Sequence, residues 1–280
     1  MEQVLDFFAG IPTSYRAGLL IGGIVFFWIL EGAIPLFAFQ YRKFRHAGLN
    51  LFFTLTTMIV GFGMAGILLW ASDYASAHQT GLLYVFTLPT WLRVILGLLL
   101  LDLIGAYSIH WLEHKIKWMW KFHLIHHSDT TVDVTTGLRH HPGETLFRVS
   151  FTILAVLVTG SSMGIVMLYQ SLSVLFAHIT HANIKVPSRA DKLLSYLFVS
   201  PNMHKVHHHY AQPLTDTNYG NIFSLWDRLF RTFKYVEKTD TLHYGIDTHM
   251  EPVENDRLGN LLAIPFQAYR PVKGGKFKER

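Results

Sequence analysis

The sequence predicts an all-α integral membrane protein with three full transmembrane helices and a short or re-entrant helical hairpin, capped by a histidine-rich cytoplasmic helical region. Three observations carry that prediction. Half of the 280 residues are hydrophobic, only 15% are charged, and mean hydropathy is +0.27, a balance that suits a membrane protein better than a soluble one. Three nearly unbroken apolar runs each approach the roughly 20 residues that cross a bilayer. Thirteen of the 17 histidines fall between His110 and His209, many of them three or four apart, which puts their side chains on shared helix faces.

Taken in order, residues 1–16 read as an interfacial segment with Phe7, Phe8 and Tyr15 at the membrane surface. The start lacks a basic region and a small-residue cleavage site, so it does not read as a signal peptide. Ala17 to Phe39 is the first span. Glu31 within it must face the bundle interior, as a structural polar contact, and Pro35 kinks or ends the helix. Leu51 to Ala71 is the second span. Phe86 to Ile109 is the third, with Asp102 deep inside it.

Basic residues crowd Tyr41–Arg45 and positions 115–121, whereas Ser72–Tyr84 carries none. The positive-inside rule then sets the amino terminus outside and the first histidine boxes in the cytoplasm. The same placement makes the net charge of +5 a matter of topology and anionic lipid, not of nucleic acid.

Val149 to Ala177 is a further apolar stretch. One straight crossing would strand the later histidines on the far side of the membrane. A single centre therefore requires a reversal at Gly160–Gly164, between helices of about 11 and about 13 residues, too short for full spans. From Ile184 onward the chain is more polar and broken by Pro187, Pro201 and Pro213, and the basic tail 271–280 is expected to fray.

The histidines carry the chemistry. His110 and His114 share a face, as do His123, His126 and His127; His178 with His181, and His204 with His207 and His208, follow. The chain has no cysteine, which excludes disulfides and thiolate ligands. Imidazoles converging from three or four segments can hold two metal ions, with iron or zinc the best suited. His46, His78, His243 and His249 are isolated and read as structural. His140 and His209 read as solvent-facing.

At these boxes the chain resembles the fatty acid hydroxylase superfamily, which includes sterol desaturases and sphingolipid hydroxylases. The matching residues are Asp102, His110-x-x-x-His114, Phe122-His123-x-x-His126-His127-Ser128 and Thr136-Gly137-Leu138-Arg139-x-His141-Pro142. They continue with His181-Ala182-Asn183, Pro201-x-x-His204-x-x-His207-His208, Asn218-Tyr219-Gly220 and Trp226-Asp227-Arg228-Leu229-Phe230. Trp111 and Arg231 depart from the usual pattern at positions where the family often has a basic residue and a glycine. The resemblance divides the chain into N-terminal membrane helices (1–94), a catalytic region (95–233) and a polar tail (234–280).

The resemblance implies two iron ions, with zinc as an alternative on isolation, and O2 as co-substrate. It implies an oxidoreductase that hydroxylates or desaturates a lipid drawn from the bilayer. Ten histidines are assigned to the metals: His110, His114, His123, His126, His127, His178, His181, His204, His207 and His208. His178 joins this set because it lies one turn from His181. His141 is a ligand or a hydrogen-bond partner of one, and Asp102, Arg139 and Asn183 stand behind the ligands. Asp102 orients an imidazole or pairs with Arg139.

No flavin or dinucleotide fingerprint is present, so electrons must come from a separate reductase, ferredoxin or cytochrome-type protein. The absence of an appended cytochrome domain points to a bacterial inner membrane. Two other readings fit the sequence less well. Acyl-lipid and acyl-CoA desaturases separate their first two boxes by far more than the nine residues between His114 and His123. A membrane metal transporter would set its ligands within the spans, near the bilayer midplane, instead of after them.

Overall fold

The computed structural model describes residues 1–275, so half of the tail expected to fray lies outside the described residues. Among the described residues the regular structure is helical, with no strand longer than an isolated bridge. A short helix α1 (Glu2–Ala9) precedes α2 (Thr13–Ala33), which stops where Pro35 removes a backbone donor. Helix α3 (Lys43–Ala77) has 35 residues and is about 52 Å long, longer than the roughly 30 Å hydrocarbon core. Its first turns therefore stand clear of the apolar layer, and there His46 and Asn50 are buried against the cap.

The third span is one rod made of α4 (Thr90–Asp102), a π-helical turn (Leu103–Ser108) and α5 (Ile109–Lys115). Ser108 Oγ donates to Leu103 O at 2.8 Å inside the widened turn. A π turn shifts the phase of everything after it, and such turns recur at functional sites. Here it lies between the bundle core around Leu101 and the first box, at His110. Ile116 then leaves the helix with extended torsions, and α6 (Lys117–His127) carries the second box.

Helices α7 (Pro142–Thr159) and α8 (Met163–His181) form the predicted hairpin, with its reversal at Gly160–Ser162. Gly160 sits at φ +76°, and a Cβ there would lie 2.2 Å from Thr80 O. The hairpin helices have 18 and 19 residues instead of about 11 and 13, and among the described residues five helices are long and apolar enough to cross a membrane. The discrepancy arises because α7 begins at Pro142, before the apolar run, with Glu144 and Arg148 neutralising each other inside it. At its N-terminal end α8 receives α1: a Cβ on Gly164 would approach Leu5 O to 2.5 Å, so only glycine allows that contact.

Apolar and polar burial are segregated. Leu83, Val94, Leu101, Val156, Ile165 and Val166 fill the bundle. Phe26, Ile29, Ile59 and Phe62 point outward on α2 and α3, Phe62 being 86% exposed, as lipid-facing residues do. Polar residues are buried at the other end. Glu31 ties the end of α2 to that polar region: it accepts from Val134 N (2.7 Å) and Asn183 N (2.9 Å) and pairs with Lys43 at 3.2 Å. That is the structural contact expected of it.

Candidate metal centre

Nine of the ten histidines singled out in the sequence come together in two buried groups. His110, His114, His123, His127 and His207 form one; His126, His181, His204 and His208 form the other. Four elements supply the imidazoles, namely α5, α6, α8 and α9 (Pro201–His207), with His208 following directly on α9. Adjacent residues on α6 divide between the groups, His126 to one and His127 to the other, so the i, i+1 step of a helix sets the two groups side by side.

Backbone and carboxylate partners fix the rings. His110 Nδ1 donates to Tyr219 O (2.8 Å), His126 Nδ1 to Thr136 O (3.2 Å), His181 Nδ1 to Ala177 O (2.8 Å) and His207 Nδ1 to Thr217 O (2.6 Å). A carbonyl can only accept, so each of these rings carries its proton on Nδ1 and turns a bare Nε2 lone pair inward. His114 Nδ1 and His123 Nδ1 face carboxylates, Asp216 at 3.1 Å and Glu144 at 2.8 Å, with the same result.

The inward nitrogens crowd together. His110 Nε2 lies 3.1 Å from His123 Nε2, and His126 Nε2 lies 3.3 Å from His181 Nε2. Both members of each pair are lone-pair acceptors, so neither contact is a hydrogen bond between neutral rings. Protonation does not rescue them. Burial, with neighbouring imidazoles adding to it, pulls His123, His126, His127, His204, His207 and His208 well below the usual histidine range. In the second group His204 Nε2 is 3.0 Å from His181 Nε2, and His208 Nε2 is 3.2 Å from both. Nitrogens about 2.0–2.1 Å from one ion in a tetrahedron stand about 3.3 Å apart. The donor sets therefore fit a cation in each group. His114 Nε2 and His207 Nε2, buried with no protein partner, agree with that fit.

Four further residues of the sequence reading stand elsewhere. His178, although one turn from His181, joins neither group: its ring fills the gap opposite Gly23, where a Cβ would lie 2.2 Å from Nδ1. His141 caps α7, its Nδ1 accepting from Gly143 N at 3.0 Å. Among the described residues Asp102 bonds no imidazole and no arginine. It accepts from Tyr169 Oη, Ile222 N, Phe223 N and Trp226 Nε1 at 3.1–3.2 Å, and so secures the loop that follows Tyr219. Asp227 completes that support by accepting from Tyr219 N (2.8 Å) and Gly220 N (2.9 Å). Asn183 clips Phe37 on the α2–α3 connection.

 Both backbone groups of Phe37 bond the Asn183 side chain, Phe37 N donating to Oδ1 at 3.0 Å and Nδ2 donating to Phe37 O at 2.8 Å. Asn183 is therefore a clip, and its side chain bonds no imidazole among the described residues. Arg139 does stand behind a box. It donates to Ile125 O (2.9 Å) and Ser128 Oγ (3.1 Å), holding the C-terminal end of α6, and also to Asn255 O.

Several residues at the site escaped the sequence reading. Glu144 Oε1 accepts from His123, from His140 Nδ1 (2.8 Å) and from Arg148 Nε (2.9 Å), while Arg148 also reaches Glu113 at 2.6 Å. His140, expected in solvent, stacks on His126 with centroids 4.7 Å apart. The i, i+4 spacing of His140, Glu144 and Arg148 was the available signal. Asp216, which holds both His114 and Lys115 (2.7 Å), is kept below the usual carboxylate range: burial would raise it, and those two partners outweigh burial. No local pattern marks it. A cavity of about 290 Å³ opens onto both groups, lined by His110, His123, His126, His181 and His204 and, toward the bundle, by Ala106, Val174 and Ala177.

Residues 94–232 match the family model for fatty acid hydroxylase. This chain belongs to the fatty acid hydroxylase superfamily. An ornithine lipid hydroxylase, OlsE, of Rhizobium tropici is 27% identical over 158 residues, covering 56% of this chain and 46% of that protein. Human alkylglycerol monooxygenase is 24% identical over 287 residues, covering 98% of this chain and 54% of its own length. A methylsterol monooxygenase 2-2 of Arabidopsis thaliana is 27% identical, with 67% and 71% covered. The chain thus spans about half, or less, of the length of the first relatives it matches. No solved structure matches it. Family membership and the apolar helices make it an integral membrane protein.

Proposed function

We propose that this protein is an O2-dependent lipid hydroxylase or desaturase whose two histidine groups hold two iron ions, zinc being an alternative on isolation. One observation carries the reading: in each group, inward Nε2 lone pairs face one another at 3.0–3.3 Å, an arrangement that needs a cation between them. Bound iron supplies the O2 chemistry that an unactivated C–H bond requires and that side-chain acids and bases cannot provide.

The chain's own residues do the rest. Tyr219 O, Thr136 O, Ala177 O and Thr217 O keep the Nδ1 protons in place, so that Nε2 stays free. Glu144 and Asp216 do the same for His123 and His114 with negative charge. The cavity beside both groups is lined by Ala106, Val174 and Ala177 as well as by imidazoles, which suits an apolar chain. The relatives named above act on an ornithine lipid, an alkylglycerol and a methylsterol, and the common class is an amphiphilic lipid. Electrons come from a separate donor protein of the reductase, ferredoxin or cytochrome type. The site faces the cytoplasm of a bacterial inner membrane, on the side where Arg42, Lys43, Arg45, Lys115 and Lys117 lie.

The test is metal content together with isotope labelling. Freshly purified protein is expected to carry close to two metals per chain, and reduced protein given 18O2 and a lipid extract is expected to place label in a lipid hydroxyl. His126→Ala/His127→Ala should lose both the metal and the label. Wild-type protein that is folded yet metal-free would sink the reading.

A further inference from the structure

A second cavity, of about 320 Å³, adjoins the histidine-lined one along Arg148, Ser173 and Asn221. Its outer wall carries Arg16 from α2 and Gln170 and Ser171 from α8. Ser171 lies eight residues after Met163 and ten before His181, about 12 Å along the helix from its outer start and about 15 Å from its metal end. Arg16, an exposed residue in the first turn of α2, stands at the rim of this cavity.

The two arginines of this cavity differ. Arg148 is neutralised by Glu113 and Glu144 at 2.6 and 2.9 Å. The Arg16 side chain makes no hydrogen bond or ion pair among the described residues, and the same holds for the Gln170 amide. Ser171 Oγ and Thr152 Oγ1 donate back to their own helices, to Met167 O and Arg148 O. No aspartate or glutamate lines the cavity. What remains is a concave, acid-free site with an unspent guanidinium and an unspent amide, the donor set that takes an oxyanion.

We propose that this outer cavity recognises the anionic headgroup, phosphate or carboxylate, of a lipid, with Arg16 and Gln170 binding its oxygens while the chain runs inward past Ala106 and Val174 to the histidines. The proposal rests on the reading of the inner cavity as the place of lipid oxidation, and it makes Arg16 a specificity-determining residue. A neutral lipid of the same chain length gains nothing from Arg16.

Binding is measured on chelator-stripped full-length protein in neutral detergent, so that metal and turnover do not enter. The probes are a fluorescent lysophosphatidate and the matching monoacylglycerol. Wild type is expected to bind the lysophosphatidate at least about tenfold more tightly, in line with a hydrogen bond to a charged group. Arg16→Gln is expected to erase that preference without changing monoacylglycerol affinity, and Arg16→Lys to keep most of it. Arg16 has no internal partner to lose, and an unchanged melting temperature verifies that the variants fold. Equal affinities for the two probes in wild type, or a preference that survives Arg16→Gln, overturns the proposal. Displacement of the lysophosphatidate by millimolar inorganic phosphate alone assigns the site to free phosphate and overturns the headgroup. A metal-loaded, active protein with no anion preference would refute only this subsite; anion preference in a protein that never binds metal would refute only the oxygenase.

Discussion

The two histidine groups are built from the same side chain but are supported differently. In the five-histidine group, His114 leans on Asp216 and His123 on Glu144, with Glu113 and Arg148 completing a buried charge network behind them. In the four-histidine group, His126 and His181 lean on backbone carbonyls, and the Nδ1 atoms of His204 and His208 have no partner. Carboxylates raise the basicity of the imidazoles they hold and offset the positive charge of a bound ion. Carbonyls orient a ring without adding net charge. The five-histidine group should therefore hold its ion more tightly, and the four-histidine group should release its ion first.

The largest effect separates the groups outright. His181 contacts three other Nε2 atoms in its group, and His123 contacts two in the other. His181→Ala and His123→Ala are each expected to remove about one of two metals and to lower turnover at least about a hundredfold, because the proposed reaction draws on both sites. Elemental analysis checks this. If either substitution leaves metal content at the wild-type level, its group is not a metal site.

Glu144→Gln comes next. The amide can still hydrogen-bond, but it withdraws charge from His123, His140 and Arg148 at once. Metal affinity of the five-histidine group is expected to fall about 10–100-fold, with the four-histidine group unaffected. Arg148 would keep only Glu113, and a buried cation that loses a partner destabilises the fold by up to about 3 kcal/mol. Chelator titration followed by elemental analysis separates the two groups. Loss of both ions in parallel would show that the groups are one coupled centre and not two.

Acid is a milder probe of the same contrast. Rings held neutral by burial bind fewer protons when folded than when unfolded, once pH drops below the unfolded histidine value of about 6.5. Stability of the metal-free protein is therefore complete above that pH and declines as pH falls below it. His123, His126, His127, His204, His207 and His208 all push the same way. The melting temperature of stripped protein is expected to drop by several degrees between pH 7.5 and 5.5. A flat profile would mean that the rings are already charged or already exposed.

These contrasts also mark what the sequence could disclose. The boxes were legible because ligands on one helix must repeat every three or four residues, and His110, His114, His123, His126 and His127 do so. Their supports were not. Asp216 meets His114 from 102 positions away, and no local spacing encodes such a contact. Glu144 meets His123 across the turn that leads into α7, 21 positions away. The hairpin reversal at Gly160 was visible in its glycine and serines, but the lengths of its helices were hidden. Glu144 and Arg148 look like a polar boundary until their mutual pairing is seen. Glu31 was placed correctly as a structural contact because an intramembrane carboxylate must find donors, although Val134 N and Asn183 N could not have been named in advance.

The smallest expected effect belongs to His178. It is three residues before His181 and satisfies the spacing rule, yet a three-residue step rotates a side chain about 60° from its neighbour on the helix, and α2 occupies that direction. Its ring packs tilted against Phe27, centroids 6.4 Å apart, and over Gly23, with both nitrogens buried and unpartnered. A buried imidazole that bonds nothing contributes volume and little else, so an apolar side chain of similar size should replace it at small cost. His178→Leu is expected to retain two metals per chain and near-wild-type turnover, with stability unchanged or slightly higher. His181→Leu, one turn away, should lose the ion. If His178→Leu instead strips metal from the four-histidine group, then the ring swings away from Gly23 when the ion binds, and spacing along α8 was the better guide.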